Sequence, residues 1–227
     1  MRKLLFINIM LAIVSGLFAA DLPDVVDLGF SADGKYYMFG YYGVDSETSK
    51  SYAEAFIVDL ATNSFVKDGV YTYTSKTAVS PGFDAVGALL NLYDESAAVR
   101  TKYGIKPLNQ GRLVYVLLNG AVPEKIVKFR DFQGKSSYEI SMDKTVTTSG
   151  KVKSSFSLSI KRTPVSGSTS TISAGNPAIK RDDVKDYQIK KVLLSPDEKF
   201  MVILILKYYT EESGEGIRFM VETLAVK

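Results

Sequence analysis

Short runs of alternating apolar and polar residues, separated by polar turns, recur along most of the chain. Alternation with a period of two is typical of strands that bury one face of a sheet. In the clearest run, Phe156, Leu158 and Ile160 lie on one face and serines lie on the other, so that face is expected to be wet. We therefore predict a mainly β (α+β) fold, an antiparallel sheet or sandwich, with strands at 25–30, 36–44, 53–60, 65–66, 70–73, 113–118, 125–132, 138–142, 152–160, 187–194, 200–209 and 217–226.

One segment has the periodicity of a helix instead. Ser80 and Pro81 suit a helix start, and Gly104 followed by Pro107 is typical of a helix end. Between these signals, apolar residues spaced three and four apart form one stripe: Val86, Leu89, Leu90, Tyr93 and Ala97. The pattern predicts a single amphipathic helix at about 81–103.

Two segments depart from simple alternation. Phe200–Leu206 is apolar on both faces, which predicts a central strand with Leu204 deep in the core and the helix covering one face. Thr163–Asn176 is rich in serine, threonine and glycine. That composition predicts a long flexible loop.

The first twenty residues have the order of a secretory signal. Arg2 and Lys3 precede a short apolar run, and small residues follow at its end. We predict a signal peptide over 1–20, export to the periplasm or beyond the cell, and a single mainly-β domain over 21–227 with no transmembrane segment after cleavage. Two alternatives stay open: cleavage one bond earlier, after Ala19, and an uncleaved membrane anchor.

Composition excludes several chemistries. The chain has no cysteine and no histidine, so disulfides, zinc sites built on these ligands and histidine acid–base catalysis are excluded. Removing Arg2 and Lys3 from the 28 basic residues leaves 26 against 25 acidic ones, so no basic excess indicates nucleic acid. We predict no cofactor and no nucleic-acid partner. Binding of a hard cation such as calcium stays open, because two acidic loops, at 45–47 and 211–215, carry carboxylates.

Two segments of the chain resemble each other. Ser31-Ala32-Asp33-Gly34 and Ser195-Pro196-Asp197-Glu198 are each followed by an apolar strand ending in paired tyrosines, then an acidic loop and another strand. Turns of this kind also occur in β-propeller blades, so a small β-propeller-like fold is the alternative. A propeller needs several blades, and only two copies are visible, so we prefer the mixed fold.

A further set of segments carries a family resemblance. The dense part comprises Gly29-Phe30-Ser31, Asp33-Gly34, Phe39, Tyr42-Gly43-Val44, Tyr52-Ala53-Glu54 and the positions from Val58 to Val66. A weaker part comprises Tyr103-Gly104-Ile105, Gly111-Arg112 and Ser195-Pro196-Asp197, where Glu198 replaces the usual glycine. These segments resemble a bacterial family of predicted secreted proteins of unknown function. The resemblance implies secretion and a single domain, and it transfers no activity or site residue.

Four tyrosines lie on the strand that follows the first turn. In strand periodicity Tyr36 and Tyr42 share one face, and Tyr37 and Tyr41 share the other. An exposed tyrosine face is typical of surfaces for partner proteins or sugar rings, whereas a buried one is ordinary core packing. We predict this strand as the candidate binding surface.

These observations support three functional hypotheses. The preferred one is a non-catalytic secreted or periplasmic protein that binds an envelope protein or supports an assembly, since no catalytic constellation is visible. The second is a small-ligand or glycan-binding protein with a concave tyrosine-lined face. The third is a carboxylate-dependent hydrolase, which requires two carboxylates about 5–10 Å apart in a cleft. Asp33 and Asp197, at matched turn positions, are its candidates.

Overall fold

The computed structural model describes residues 22–80, 82–211 and 214–226, and the predicted signal peptide at 1–20 lies outside them. These residues form fourteen strands and two helices, so the prediction of a mainly β fold is confirmed. In chain order the elements are β1 (Asp24–Ser31), β2 (Tyr36–Val44), β3 (Lys50–Asp59), β4 (Ser64–Ala78), α1 (Val86–Glu95), α2 (Ala97–Lys102), β5 (Ile105–Lys106), β6 (Arg112–Val116), β7 (Ile126–Asp131), β8 (Ser136–Thr147), β9 (Lys153–Pro164), β10 (Ser170–Ala174), β11 (Arg181–Asp182), β12 (Val184–Leu194), β13 (Phe200–Glu211) and β14 (Gly214–Ala225).

The strands form three antiparallel sheets. The front sheet has the strand order β4-β3-β2-β1-β5, and the central sheet has the order β14-β13-β12-β6. The back sheet has the order β10-β9-β8-β7, with β11 paired to β9. The central sheet lies between the other two, because its side chains contribute to two separate cores. The α1 helix packs on the outer face of the front sheet.

The strand β13 lies in the middle of this stack and is apolar on both faces. Leu204 packs toward the front sheet, whereas Ile203 and Ile205 pack toward the back sheet. Leu204 is fully buried, so the prediction of a central strand with Leu204 in the core is confirmed. The prediction that the helix covers one face of this strand is wrong, because the two flanking sheets cover both faces.

The helical segment is shorter than the predicted 81–103, and it divides into α1 and α2 at Ser96. The Ser96 hydroxyl donates to the Tyr93 carbonyl oxygen at 2.9 Å, a side-chain bond to the backbone that bends helices. The first helix begins at Val86, whose N–H donates to Asp84 Oδ1 at 2.8 Å. The N-cap residue is Ala85, which makes no side-chain capping bond, so the predicted cap at Ser80 is wrong.

The buried face of α1 differs from the predicted stripe. Leu89 is buried as predicted, but Leu90 is 59% exposed, and Ala88 and Leu92 are buried instead. The Leu89 side chain occupies the space that a β carbon at Gly40 would fill, since the two would lie 2.5 Å apart. The missing side chain at Gly40 brings the helix close to β2, and this contact decides which face is buried.

The segment Thr163–Asn176 is not one long loop. It contains β10, which pairs with β9 in the back sheet, and Ile172 packs against the core. The prediction of a flexible loop is therefore wrong for 170–174. Threonine and isoleucine favour strands once a partner strand is available, and the neighbouring β9 supplies that partner.

The two repeated segments fold as matching three-stranded meanders. One is β1-β2-β3 in the front sheet, and the other is β12-β13-β14 in the central sheet. In each turn the serine hydroxyl donates to the aspartate carboxylate at 2.6 Å, from Ser31 to Asp33 and from Ser195 to Asp197. The sheets stack face to face instead of radiating from an axis, so the alternative of a β-propeller is wrong.

Candidate functional site

The four tyrosines on β2 divide between two packed faces of the front sheet. Tyr37 and Tyr41 are buried toward the central sheet. Their hydroxyls donate to Asp27 Oδ1 at 2.5 Å and to Glu54 Oε2 at 2.6 Å. Burial beside these carboxylates raises the pKa of both tyrosines, which keeps them neutral hydrogen-bond donors.

The other two tyrosines lie on the helix side of the same strand. Tyr36 and Tyr42 are half-buried, and the ring of Tyr36 lies edge-on to Tyr103 with 4.8 Å between centroids. The four tyrosines therefore do not share one exposed surface. Contact with a partner on this strand is restricted to the outer rims of Tyr36 and Tyr42.

Asp33 and Asp197 lie in neighbouring turns. The Asp197 carboxylate packs against Gly34, 2.9 Å from the position of an added β carbon. A hydrogen bond from Ser31 lowers the pKa of Asp33. At Asp197 burial opposes ionisation, but hydrogen bonds within its turn outweigh it and lower the pKa. Neither carboxyl has the raised pKa that a general acid needs. The hydrogen bonds of both side chains instead indicate that they stabilise their own turns.

The first acidic loop is organised by its own side chains. Asp45 Oδ1 accepts hydrogen bonds from the N–H and the hydroxyl of Thr48, both at 2.7 Å. The second acidic loop falls partly outside the described residues. Within the part of the chain that the structure describes, no group of three metal-binding side chains comes together.

Arg112 on β6 connects two carboxylates from different parts of the fold. Its guanidinium lies 2.8 Å from Asp131 Oδ2, at the end of β7, and 2.8 Å from Glu198 Oε1, in the turn between β12 and β13. Glu198 has a φ of +57°, which is uncommon for a residue with a side chain. Because Arg112 lies in the central sheet and Asp131 in the back sheet, this guanidinium ties the two sheets together.

The strand β4 forms one end of the front sheet and has 15 residues. Among the residues that the structure describes, it pairs with β3 on one side and with no strand on the other. The segment 70–75 has no charge, proline or glycine, and the charged residues of the strand lie on either side of it: Lys67, Asp68 and Lys76. Phe65 and Val70 are 47% and 49% exposed. A long uncharged edge of this kind pairs readily with another strand.

A cleft of about 380 Å³ opens between the central and back sheets. Small-molecule sites have volumes of about 300–1,000 Å³, so the cleft is large enough for a ligand. Its walls come from β6, β7, β8, β12 and the loop 117–125. The inner wall is largely hydrocarbon: Val127, Ile140, Met142 and Ile189.

Charged side chains surround the mouth of the cleft. Lys144 Nζ lies 2.7 Å from Asp186 Oδ1, and the adjacent loop contributes Glu124 and Lys125. The formal charges of these four lining residues cancel. Lys190 anchors the loop, because its Nζ donates to a loop carbonyl at 2.7 Å and to a loop amide oxygen at 2.6 Å.

Most of the chain matches one protein family. A family model described as Predicted secreted protein (DUF2259) matches residues 38–225. The chain belongs to this family. A search of curated proteins found none that matches this DUF2259 protein. Neither helix in the described part of the protein has the length and apolar character needed to cross a membrane.

Two glycines in the segments that carry the resemblance noted in the sequence have structural roles. Gly29 has a φ of +104°, and a β carbon there would lie 2.2 Å from the Lys106 carbonyl oxygen. A β carbon at Gly111 would lie 2.6 Å from the Leu194 carbonyl oxygen. Both positions therefore require glycine, because neighbouring backbone passes too closely for any side chain.

Asn63, another residue of the shared pattern, connects two sheets. It lies in the turn between β3 and β4, and its Oδ1 accepts from the Thr223 N–H at 2.8 Å. Its Nδ2 donates to Glu222 Oε2 at 2.6 Å. The turn thereby covers the edge of β14. At these positions the resemblance noted in the sequence therefore falls on residues that build the scaffold.

Neither the cleft nor the free edge was predicted from the sequence. The cleft forms where β12 meets three strands that precede it by about 40 residues or more, and none of its lining residues belongs to a motif. The edge strand was predicted in two pieces, at 65–66 and 70–73. The absence of charge from Val70 to Ser75 was the available signal, but the pairing of β4 on one side only is visible only in the sheet.

Proposed function

We propose that this protein is a non-catalytic binding protein of the bacterial periplasm. It takes an extended segment of an envelope protein as a further strand beside β4. The observation that carries the proposal is the uncharged edge of β4 from Val70 to Ser75, which no second strand of the described part of the chain covers. Backbone N–H and C=O groups on such an edge supply affinity for an extended segment. The predicted signal peptide and the family description support the location.

Side chains beside the edge supply selectivity. Phe65 stacks on Phe56 with 5.0 Å between ring centroids. About half of the surface of Phe65 is exposed, and about half of the surface of Val70 is exposed as well. Thr72 and Thr74 are exposed along the same strand. A partner strand with apolar residues at alternate positions would cover the two exposed apolar side chains while it pairs with the backbone.

Crosslinking from a unique cysteine tests this proposal. The chain has no cysteine, so Thr72→Cys places a single thiol in the middle of the β4 edge. Labelled with a short photoreactive maleimide and mixed with envelope extract, this variant is expected to form a discrete adduct. Adding Thr74→Lys should reduce the adduct several-fold, because a lysine on an edge disfavours strand addition. Mass spectrometry of the adduct identifies the crosslinked segment.

The matched control is Ser137→Cys. Ser137 is also exposed, but it lies on β8 between β7 and β9, where both edges are already paired. It is expected to give no discrete adduct under the same conditions. Equal adducts from the two positions, or no adduct from Thr72→Cys, would contradict strand addition at β4.

A further inference from the structure

The inner part of the cleft between the central and back sheets offers hydrocarbon to a ligand. Its wall includes Val127 and Ile189, and the partly exposed side chains of Tyr115 and Met142 offer further apolar surface. Tyr187 also lines it, but its hydroxyl is already hydrogen-bonded to Ser154 at 2.8 Å. An apolar chain fits this surface, since a polar group placed there would lose its hydration without a partner.

The mouth of the cleft offers paired opposite charges. Lys144 and Asp186 form an ion pair whose side chains are 34% and 41% exposed, and such pairs open at small cost. A ligand with a single charge would take one of these partners and leave the other unpaired. A head group with both charges gives each partner a counter-charge.

We propose that this cleft binds one molecule of a zwitterionic amphiphile. The alkyl chain lies between the two sheets, and the head group places its anionic group at Lys144 and its cationic group at Asp186. This site lies between the central and back sheets, whereas β4 is at the far end of the front sheet. A test of ligand binding in the cleft can therefore succeed or fail independently of a test of strand addition at β4.

Calorimetric titration of the mature protein with decyl amphiphiles tests the ligand class. Four head groups are compared below their micelle-forming concentrations: phosphocholine, maltoside, carboxylate and trimethylammonium. We expect decylphosphocholine to bind one per chain and about tenfold more tightly than each singly charged analogue, the size of one charge-assisted hydrogen bond. Hexylphosphocholine and free phosphocholine should bind progressively more weakly, because they fill less of the apolar wall.

Variants of the ion pair locate the head group. Lys144→Gln and Asp186→Asn are each expected to weaken decylphosphocholine binding about tenfold, while decyl maltoside binding stays unchanged. The control is Lys128→Gln, which removes the exposed Lys128–Glu139 pair on the back sheet and should change neither affinity.

A tryptophan reporter locates the alkyl chain. The chain has no tryptophan, and Tyr115 lines the cleft, so Tyr115→Trp gives a single fluorophore there. Its emission should move to shorter wavelength when decylphosphocholine binds. Absence of binding, equal affinity for all four head groups, or an affinity unaffected by the Lys144 and Asp186 variants would each overturn the proposal.

Discussion

Glu222 on β14 shows how a single buried residue links stability to pH. Its side chain is only 5% exposed, and it accepts the hydrogen bond from Asn63 described above. Burial raises the pKa of this carboxyl, and the hydrogen bond only partly opposes the shift. The folded state therefore holds the proton more tightly than the unfolded state. The stability that this group contributes is complete below about pH 4 and is lost as the pH rises through the folded pKa.

Glu222→Gln removes this titration while it keeps an oxygen that accepts from Asn63. We expect the variant to gain stability relative to the natural protein at pH 7, and to lose that advantage at pH 4. Urea unfolding of both proteins at the two pH values measures the difference. Glu47→Gln, at an exposed position, is the control for the removal of one carboxylate from the surface. An effect of Glu222→Gln that is equal at both pH values would contradict the assignment.

Individual strands differ in how many of their faces are buried. The β13 strand is covered on both faces, and Leu204 at its centre is fully buried. The β9 strand buries its apolar face, and the expectation that its serine face is wet is wrong at Ser155, which is fully buried, whereas Ser157 on the same face is half-buried. In the register of the back sheet, Ser157 lies directly opposite Asp143 on β8. The alternation of β9 was predicted from sequence, but this neighbour was not.

Substitutions on these two strands should have very different costs. Leu204→Ala is expected to lower the free energy of unfolding by about 2–5 kcal/mol, because it leaves a cavity between the front and central sheets. Ser157→Lys should change it by less than about 1 kcal/mol, since the lysine faces solvent beside Asp143. Denaturant melts of the two variants measure both values. Equal losses would show that the assignment of faces is wrong.

The molecule as a whole depends on its central sheet, which contributes to two of the three apolar clusters. Unfolding either outer sheet would expose one face of that sheet to water. The single domain over 21–227 stays a prediction. The first strand begins at Asp24, so cleavage of the predicted signal would leave three residues before β1 and would not cut into the sheet.

The start of the mature protein is testable directly. We expect N-terminal sequencing of the protein isolated from the cell envelope to begin at Asp21, or at Ala20 if the bond after Ala19 is cut. The small residues before these bonds are the physical reason, because the signal peptidase site accepts small side chains. Membrane-embedded protein that retains Met1 would contradict the prediction and support the uncleaved anchor.

The sequence by itself determined the local structure and the family. The predicted strand 36–44 coincides with β2, and the turns around Asp33 and Asp197 have the matched hydrogen bonds that their shared residues predict. Alternation and turn chemistry act over a few neighbouring residues, so they are readable without knowing the fold. The same is true of the signal peptide prediction and of the secreted family that the chain resembles.

Only the tertiary structure decided which surfaces are covered. The helix was predicted, but its position on the front sheet depends on Gly40 fitting Leu89. The cleft was not predicted, because its ion pair joins Lys144 to Asp186 across 42 positions of the chain. The turn at Asn63 reaches Glu222 across 159 positions. Burial, free edges and clefts arise from such distant contacts, and each strand pattern is compatible with many arrangements of neighbours until the sheets are assembled.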